Sequence, residues 1–275
     1  LGAVTKNIRT IVVPTGEILT FSTEWEYDTW NRITKMIYPD KETLEYNYNL
    51  GGLLHSFGGN KQGTDYSYVK QLGYDKFEQR VYLGYGNGTE TFYEYEEDRR
   101  RLKNLIAETA SDRKMMDNVY TYDNVNNILR LQNQAEIPES NLMGGQTDYN
   151  YEYDDLYRLT GATGSHLGSD HENRYSLKMR YNSVHSIVKK EQVHQFKGYD
   201  DTEWSPRNKT TYTYDYEYGD SQPHAPVHIG EQTYTYDANG NQTGWTHDTS
   251  GQEREIIWDE ENRIKGIADN GEINN

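Results

Sequence analysis

Large apolar residues alternate with polar ones at every second position through stretches such as TLEYNY (43–48), TFYEY (91–95) and TYTYD (233–237). A period of two puts the apolar side chains on one face of a β-strand. The stretches end alike, on an aromatic residue followed by an acid or its amide: Tyr27-Asp28, Tyr48-Asn49, Tyr74-Asp75, Tyr95-Glu96, Tyr122-Asp123, Tyr153-Asp154, Tyr181-Asn182, Tyr236-Asp237 and Trp258-Asp259. Two residues before each aromatic stand Trp25, Tyr46, Leu72, Tyr93, Tyr120, Tyr151, Met179, Tyr234 and Ile256. Each copy therefore closes a strand with two large side chains on the same side. Three residues after the acidic position come Asn31, Gly52, Glu78, Arg99, Asn126, Tyr157, His185, Gly240 and Asn262. Most of these are Gly or Asn, which best tolerate a left-handed backbone. An Asp or Asn that accepts local backbone hydrogen bonds, followed by a left-handed residue, predicts a type I turn with a bulge that returns the chain as a hairpin. Two residues further on, Ile33, Leu54, Ile128, Leu159, Ile187 and Ile264 bring the returning strand back to the aromatic face.

Successive acidic positions lie 21 to 31 residues apart, except for one interval of 55 between Asn182 and Asp237. That interval holds a worn copy, TYTYDYEYGD (211–220), with Tyr212, Tyr214, Tyr216 and Tyr218 along one face. About ten units of two strands each then fill residues 25–275, and residues 1–24 supply edge strands at the start of the array. The polar inserts 135–148, 164–173 and 219–226 read as loops at a rim. Residues 99–118 offer the best helical segment, but their place inside a repeat predicts strand, polar turn and strand. The expected fold is all-β, with serial antiparallel hairpins joined into a strap-like sheet.

Composition sharpens this picture. Leu, Ile, Val and Phe fill about one position in six and the net charge is -16, a balance usual for disordered chains. The 26 tyrosines and 5 tryptophans reverse that reading, since each large aromatic buries about 150–250 Å². Buried Tyr needs a partner for its hydroxyl, which suits a thin sheet where the ring packs and the hydroxyl reaches a polar atom or water. The acidic surface argues against nucleic acid as a partner. No run reaches the ~20 apolar residues of a membrane helix. There is no cysteine, so disulfides and thiolate metal sites are excluded. The first residue is not Met and the chain stops on NGEINN, which reads as a section of a longer polypeptide.

Aspartate-tyrosine hairpins at this spacing, with YTYDANGN (234–241) as the clearest copy, resemble the RHS or YD-repeat family. The stretch from Tyr93 to Gly164 is similar to the repeat region of bacterial toxin-complex insecticidal toxins and polymorphic toxins. The resemblance implies an arc or turn of a hollow spiral shell, enclosing a C-terminal toxin or effector domain, in a bacterial protein that is secreted or on the cell surface. The implied partners are the rest of the same shell and the enclosed domain. The family's self-cleavage segment is not recognisable here. About 20 strands at ~4.8 Å make a strap of roughly 95 Å, too short to seal around a domain in one turn.

Several segments carry residue types suited to chemistry. DANGNQTGWTHD (237–248) offers oxygen atoms in the manner of a calcium loop, but lacks the Gly at its sixth position and the Glu at its twelfth. His166 and His171 share one loop, and His224 and His228 are separated by Pro226. GYGNG (84–88) reads as a Gly-rich hairpin tip rather than a dinucleotide loop. No nucleophile, zinc or phosphate motif is present, so no enzyme activity, metal or cofactor is expected. Two functions remain open: a container wall, or a surface adhesin whose aromatic rows stack on glycans.

Overall fold

The computed structural model describes residues 2–13, 15–139, 144–220 and 222–274. Among these residues lie 23 β-strands and one short 3-10 turn, Asn208–Thr210, and no α-helix. The chain is all-β and antiparallel. It divides into two compact units, residues 1–121 with 132–136, and residues 122–131 with 137–275.

The first unit carries β1 (Lys6–Val12), β2 (Ile18–Tyr27), β3 (Ile33–Ile37), β4 (Thr43–Tyr48), β5 (Leu54–Lys61), β6 (Thr64–Tyr74), β7 (Arg80–Tyr85), β8 (Glu90–Tyr95), β9 (Leu102–Glu108) and, but for its last residue, β10 (Lys114–Tyr122). Each strand pairs antiparallel with the next in sequence. Residues 99–118 thus form two strands joined by a turn, in which Thr109 takes the capping place and Asp112 is left-handed at φ 59°. The GYGNG tip joins β7 to β8, with Gly88 donating to the Tyr85 carbonyl at 3.1 Å.

After β11 (Ile128–Asn133), which spans the division, the second unit continues with β12 (Gln146–Tyr153), β13 (Leu159–Leu167), β14 (His171–Tyr181), β15 (Ile187–Gly198), β16 (Ser205–Pro206), β17 (Tyr212–Tyr218), β18 (Pro226–Ile229), β19 (Gln232–Tyr236), β20 (Gln242–His247), β21 (Glu253–Trp258), β22 (Ile264–Asp269) and β23 (Glu272–Asn274). From β12 on, sequence neighbours again pair antiparallel, with one variation. The short β16 and the longer β17 share one edge of β15, at Gln195–Phe196 and Lys189–Gln192 respectively.

One rim loop turns out to be mostly strand. Within 164–173, β13 runs on to Leu167 and β14 begins at His171, so only residues 168–170 turn. Gly164 is there for packing rather than for a turn: a Cβ on it would lie 2.2 Å from the Tyr175 ring and 2.7 Å from that of Tyr149. The two rings close over the strand from either side, and only glycine leaves them room. Residues 140–143 of the 135–148 insert and Ser221 of the 219–226 insert lie outside the described residues, while Gln146–Asp148 belong to β12.

Burial is shallow. Val69, Leu72 and Leu83 form a small buried cluster, with Leu54, Phe57, Tyr74 and Tyr93 packed against it. Among the described residues, no large side chain is fully enclosed. The accessible surface is 18676 Å², against about 12,000 Å² for a globular protein of this mass. Within each unit the strands pack on their ladder neighbours as a single layer, so stability must come from edge-to-edge contacts along the ladder.

Candidate functional site

Every motif aromatic is the last residue of its strand: Tyr27 ends β2, Tyr48 β4, Tyr74 β6, Tyr95 β8, Tyr122 β10, Tyr153 β12, Tyr181 β14, Tyr236 β19 and Trp258 β21. The acid that follows caps the turn. Asp237 Oδ1 accepts the backbone N–H groups of Asn239 at 2.9 Å and Asn241 at 2.8 Å, and its Oδ2 accepts the Asn241 side-chain amide at 2.9 Å. Asp123 does the same with Val125 and Asn127. At Asp28, Asp154 and Asp259 the residue four places on is an arginine, whose Nε donates to Oδ2 at 2.7, 2.7 and 3.0 Å. Asp75 also caps two amides, but its Oδ2 is held by Arg100 from the next turn, because Gln79 stands where the others have Arg or Asn. Asn182 caps the amides of Val184 and Ser186 with its Oδ1 alone.

The left-handed residue follows at a fixed distance. Asn31, Gly52, Glu78, Asn126, Tyr157, His185, Gly240 and Asn262 all have φ between 57° and 86°. The turn at Glu96 departs from this: Arg100, not Arg99, is left-handed, and the turn is one residue longer. Glu96 carries an extra methylene, and its carboxylate reaches out to the Arg101 guanidinium at 2.6 and 2.9 Å instead of folding back to cap the tip. Past these turns, at Tyr27, Tyr48, Tyr74, Tyr95, Tyr153, Tyr181, Tyr236 and Trp258, the ladder slips by one residue beside the motif aromatic.

The motif tyrosines use their hydroxyls to tie one hairpin to the hairpin before it. Tyr48 donates to the Ile33 carbonyl at 2.7 Å, Tyr74 to Leu54 at 2.9 Å and Tyr95 to Arg80 at 2.9 Å. In the second unit Tyr153 donates to Ile128 at 2.9 Å, Tyr181 to Leu159 at 2.8 Å and Tyr218 of the worn copy to Ile187 at 2.8 Å. The acceptor is always the residue five places after the previous acidic position. Tyr27 and Tyr236 make the same bond to Val4 and Pro226, both at 2.9 Å. Trp258 reaches the Gln242 carbonyl through its indole N–H at 2.8 Å, which explains how Trp can replace Tyr. The sequence pattern marks the rings but not the carbonyls that receive this staple. Its signal was present: no motif position carries Phe, the one aromatic without a donor.

The electrostatics follow from these bonds. The Asn241 amide, backed by backbone N–H groups against the cost of desolvation, holds the Asp237 carboxyl below its ordinary value. The Arg158 N–H and guanidinium do the same for Asp154. Burial pushes the hydroxyls of Tyr153, Tyr181, Tyr218 and Tyr236 upward, so they remain protonated donors. In the calcium-like loop, Asp237 is committed to N–H donors and Asp248 to His228 at 2.7 Å and Thr233 at 2.9 Å. Among the described residues no three His, Cys, Asp or Glu side chains gather as a metal site. No helix among them is long and apolar enough to cross a membrane. The chemistry this arrangement supports is mechanical: repeated turns, each bolted to its predecessor.

No family model matches the chain. Among curated proteins, it is 32% identical over 138 residues to the toxin subunit YenC1 of Yersinia entomophaga, and 33% identical over 112 residues to YenC2 of the same organism. Those matches take in 44% and 38% of this chain, and 13% and 11% of the two relatives. Among solved structures, a TcdB2-TccC3-Cdc42 complex matches over 98% of the chain with a TM-score of 0.71 at 16% identity. The Photorhabdus luminescens Tc holotoxin pore, carrying a TccC3 mutation, matches over 98% with a TM-score of 0.70. In sequence and in fold, the chain resembles the RHS/YD-repeat toxin subunits. It spans about 15% of the length of those solved chains. The RHS/YD resemblance gives the staple its context, since a sheet held together hairpin by hairpin can be lengthened without a second layer.

Proposed function

We propose that this chain is a stretch of wall in an RHS/YD-repeat shell of the toxin-complex kind, which encloses a C-terminal toxin or effector domain until delivery. The array of residues 25–275, entered through the edge strands of 1–24, supplies one arc of that wall. The observation that carries the reading is the serial staple, joined to the likeness to toxin subunits. A single-layer sheet stapled hairpin to hairpin is a barrier with two faces rather than a pocket with one. Its partners are the remainder of the same shell and the enclosed domain, in a secreted or cell-surface bacterial protein.

The aromatic rows have less to offer a glycan. The motif hydroxyls already donate to backbone carbonyls, and several rings are covered by guanidinium groups, as Tyr48 is by Arg32 at 4.3 Å and Tyr181 by Arg158 at 4.8 Å. The test is limited proteolysis of the full-length protein, with and without the segment corresponding to residues 25–275. The enclosed domain is expected to resist protease only when the segment is present. A C-terminal domain cleaved at the same rate in both forms would overturn the reading.

A further inference from the structure

On one face of the first unit, the rings of Phe21, Tyr38, Phe57, Tyr68 and Tyr85 line an open cavity of about 790 Å³, within the size range of small-molecule sites. Phe57 stacks on Tyr46 at 5.6 Å and on Tyr68 at 6.2 Å, which makes the rings a continuous aromatic surface. The other four rings remain more than a third exposed. Elsewhere the protein covers its aromatics with its own cations: Arg100 lies 3.5 Å from the Phe77 ring centre, Arg207 4.0 Å from Phe196 and Arg174 4.1 Å from Trp204. Among the described residues, no such cation lies over the five rings of this cavity.

Two carboxylates, Asp40 and Glu42, share its lining. Lys61 sits 2.5 Å from Asp40 but 3.9 Å from Glu42, so one ammonium serves two carboxylates, and the residues that line the cavity carry two acids and no base. Glu42 also accepts the Tyr68 hydroxyl, which fixes that ring at the wall. Ring faces carry negative potential, and carboxylates beside them repel anions and favour cations. A neutral apolar guest would gain from area alone. We infer that this cavity binds an organic cation on an apolar stem, the natural form being an Arg or Lys side chain of a peptide segment. The inference rests on the cavity's own charge and rings, and holds whether or not the chain is part of a shell.

The probe is benzyltrimethylammonium, titrated calorimetrically into the 275-residue chain, with the neutral near-isostere 2-methyl-1-phenyl-2-propanol as its control. The cation is expected to bind about tenfold more tightly than the alcohol, and to weaken as salt rises. Glu42→Gln and Tyr85→Leu should each weaken the cation severalfold and leave the alcohol unchanged, while Tyr85→Phe, which keeps the ring, should bind as the parent does. Equal affinity for cation and alcohol, no cation binding at millimolar concentration, or affinity unmoved by Tyr85→Leu would each overturn the inference.

Discussion

Removing one hydroxyl tests the staple directly. Tyr153 donates to the Ile128 carbonyl at 2.9 Å from a partly buried position, and burial raises its hydroxyl above the ordinary range. Tyr153→Phe keeps the ring and its packing and deletes only the donor. The net loss for such a bond is about 1 kcal/mol, rising toward 3 where the abandoned carbonyl stays dry. In a single-layer array, stability is a sum of unit and nearest-neighbour terms, so the loss should stay local. About 1 kcal/mol corresponds to roughly a fivefold fall in amide protection, read by native-state hydrogen exchange. The fall is expected in β11 to β13 and not in β20 to β22. Tyr27→Phe is the internal comparison: its bond to Val4 is exposed, water can replace it, and the change should be smaller. An unchanged exchange rate in β12 and β13 would refute the staple as a source of stability. An equal rise along the whole chain would refute the nearest-neighbour reasoning.

Three further outcomes follow from the turns. Gly240 has φ 86° and open space around a built Cβ, so Gly240→Val should cost about 1–3 kcal/mol by backbone strain alone, while Glu78→Gly, at φ 64°, should hold or raise the melting temperature. The carboxyls of Asp28, Asp75, Asp123, Asp154, Asp237 and Asp259 are held below their ordinary 3.8, so their contribution is complete above that pH and is lost as pH falls through the lower folded values. Acid unfolding followed by circular dichroism should therefore set in below about pH 4, and the combined Asp154→Asn and Asp237→Asn variant should flatten that limb. Deleting Arg99 shortens the long turn to the common length and should leave melting within a few degrees, whereas deleting Ala238 removes a residue the capped turn needs and should melt far earlier; equal losses would show that turn length does not set the register.

Much of the backbone was legible because each turn is written locally. Asp237, Asn239, Gly240 and Asn241 lie within five positions, and the bonds that shape the hairpin join those same residues. The exception at Arg99 and Arg100 has a local cause too: a Glu in place of Asp reaches past the tip, and the turn takes up one more residue. What could not be read from spacing is whatever joins residues some 20 positions apart. The staple acceptors are backbone carbonyls, which leave no trace in side-chain identity; only the exclusion of Phe at the donor end betrays them.

Gly164 and the five-ring cavity belong to the same class. Gly164 follows the grammar of a loop, yet it is glycine because Tyr149 and Tyr175, on strands either side, meet over it. The cavity draws Phe21, Tyr38, Phe57, Tyr68 and Tyr85 from β2, β5, β6, β7 and the β3–β4 turn, and none of these is a motif aromatic. The period specifies rings whose hydroxyls are spent on the neighbouring hairpin. Rings outside the period are released from that duty, and the five in this cavity turn a face to open space. In a sheet built by repetition, the residues that depart from the repeat are therefore where binding specificity can be written without loosening the sheet.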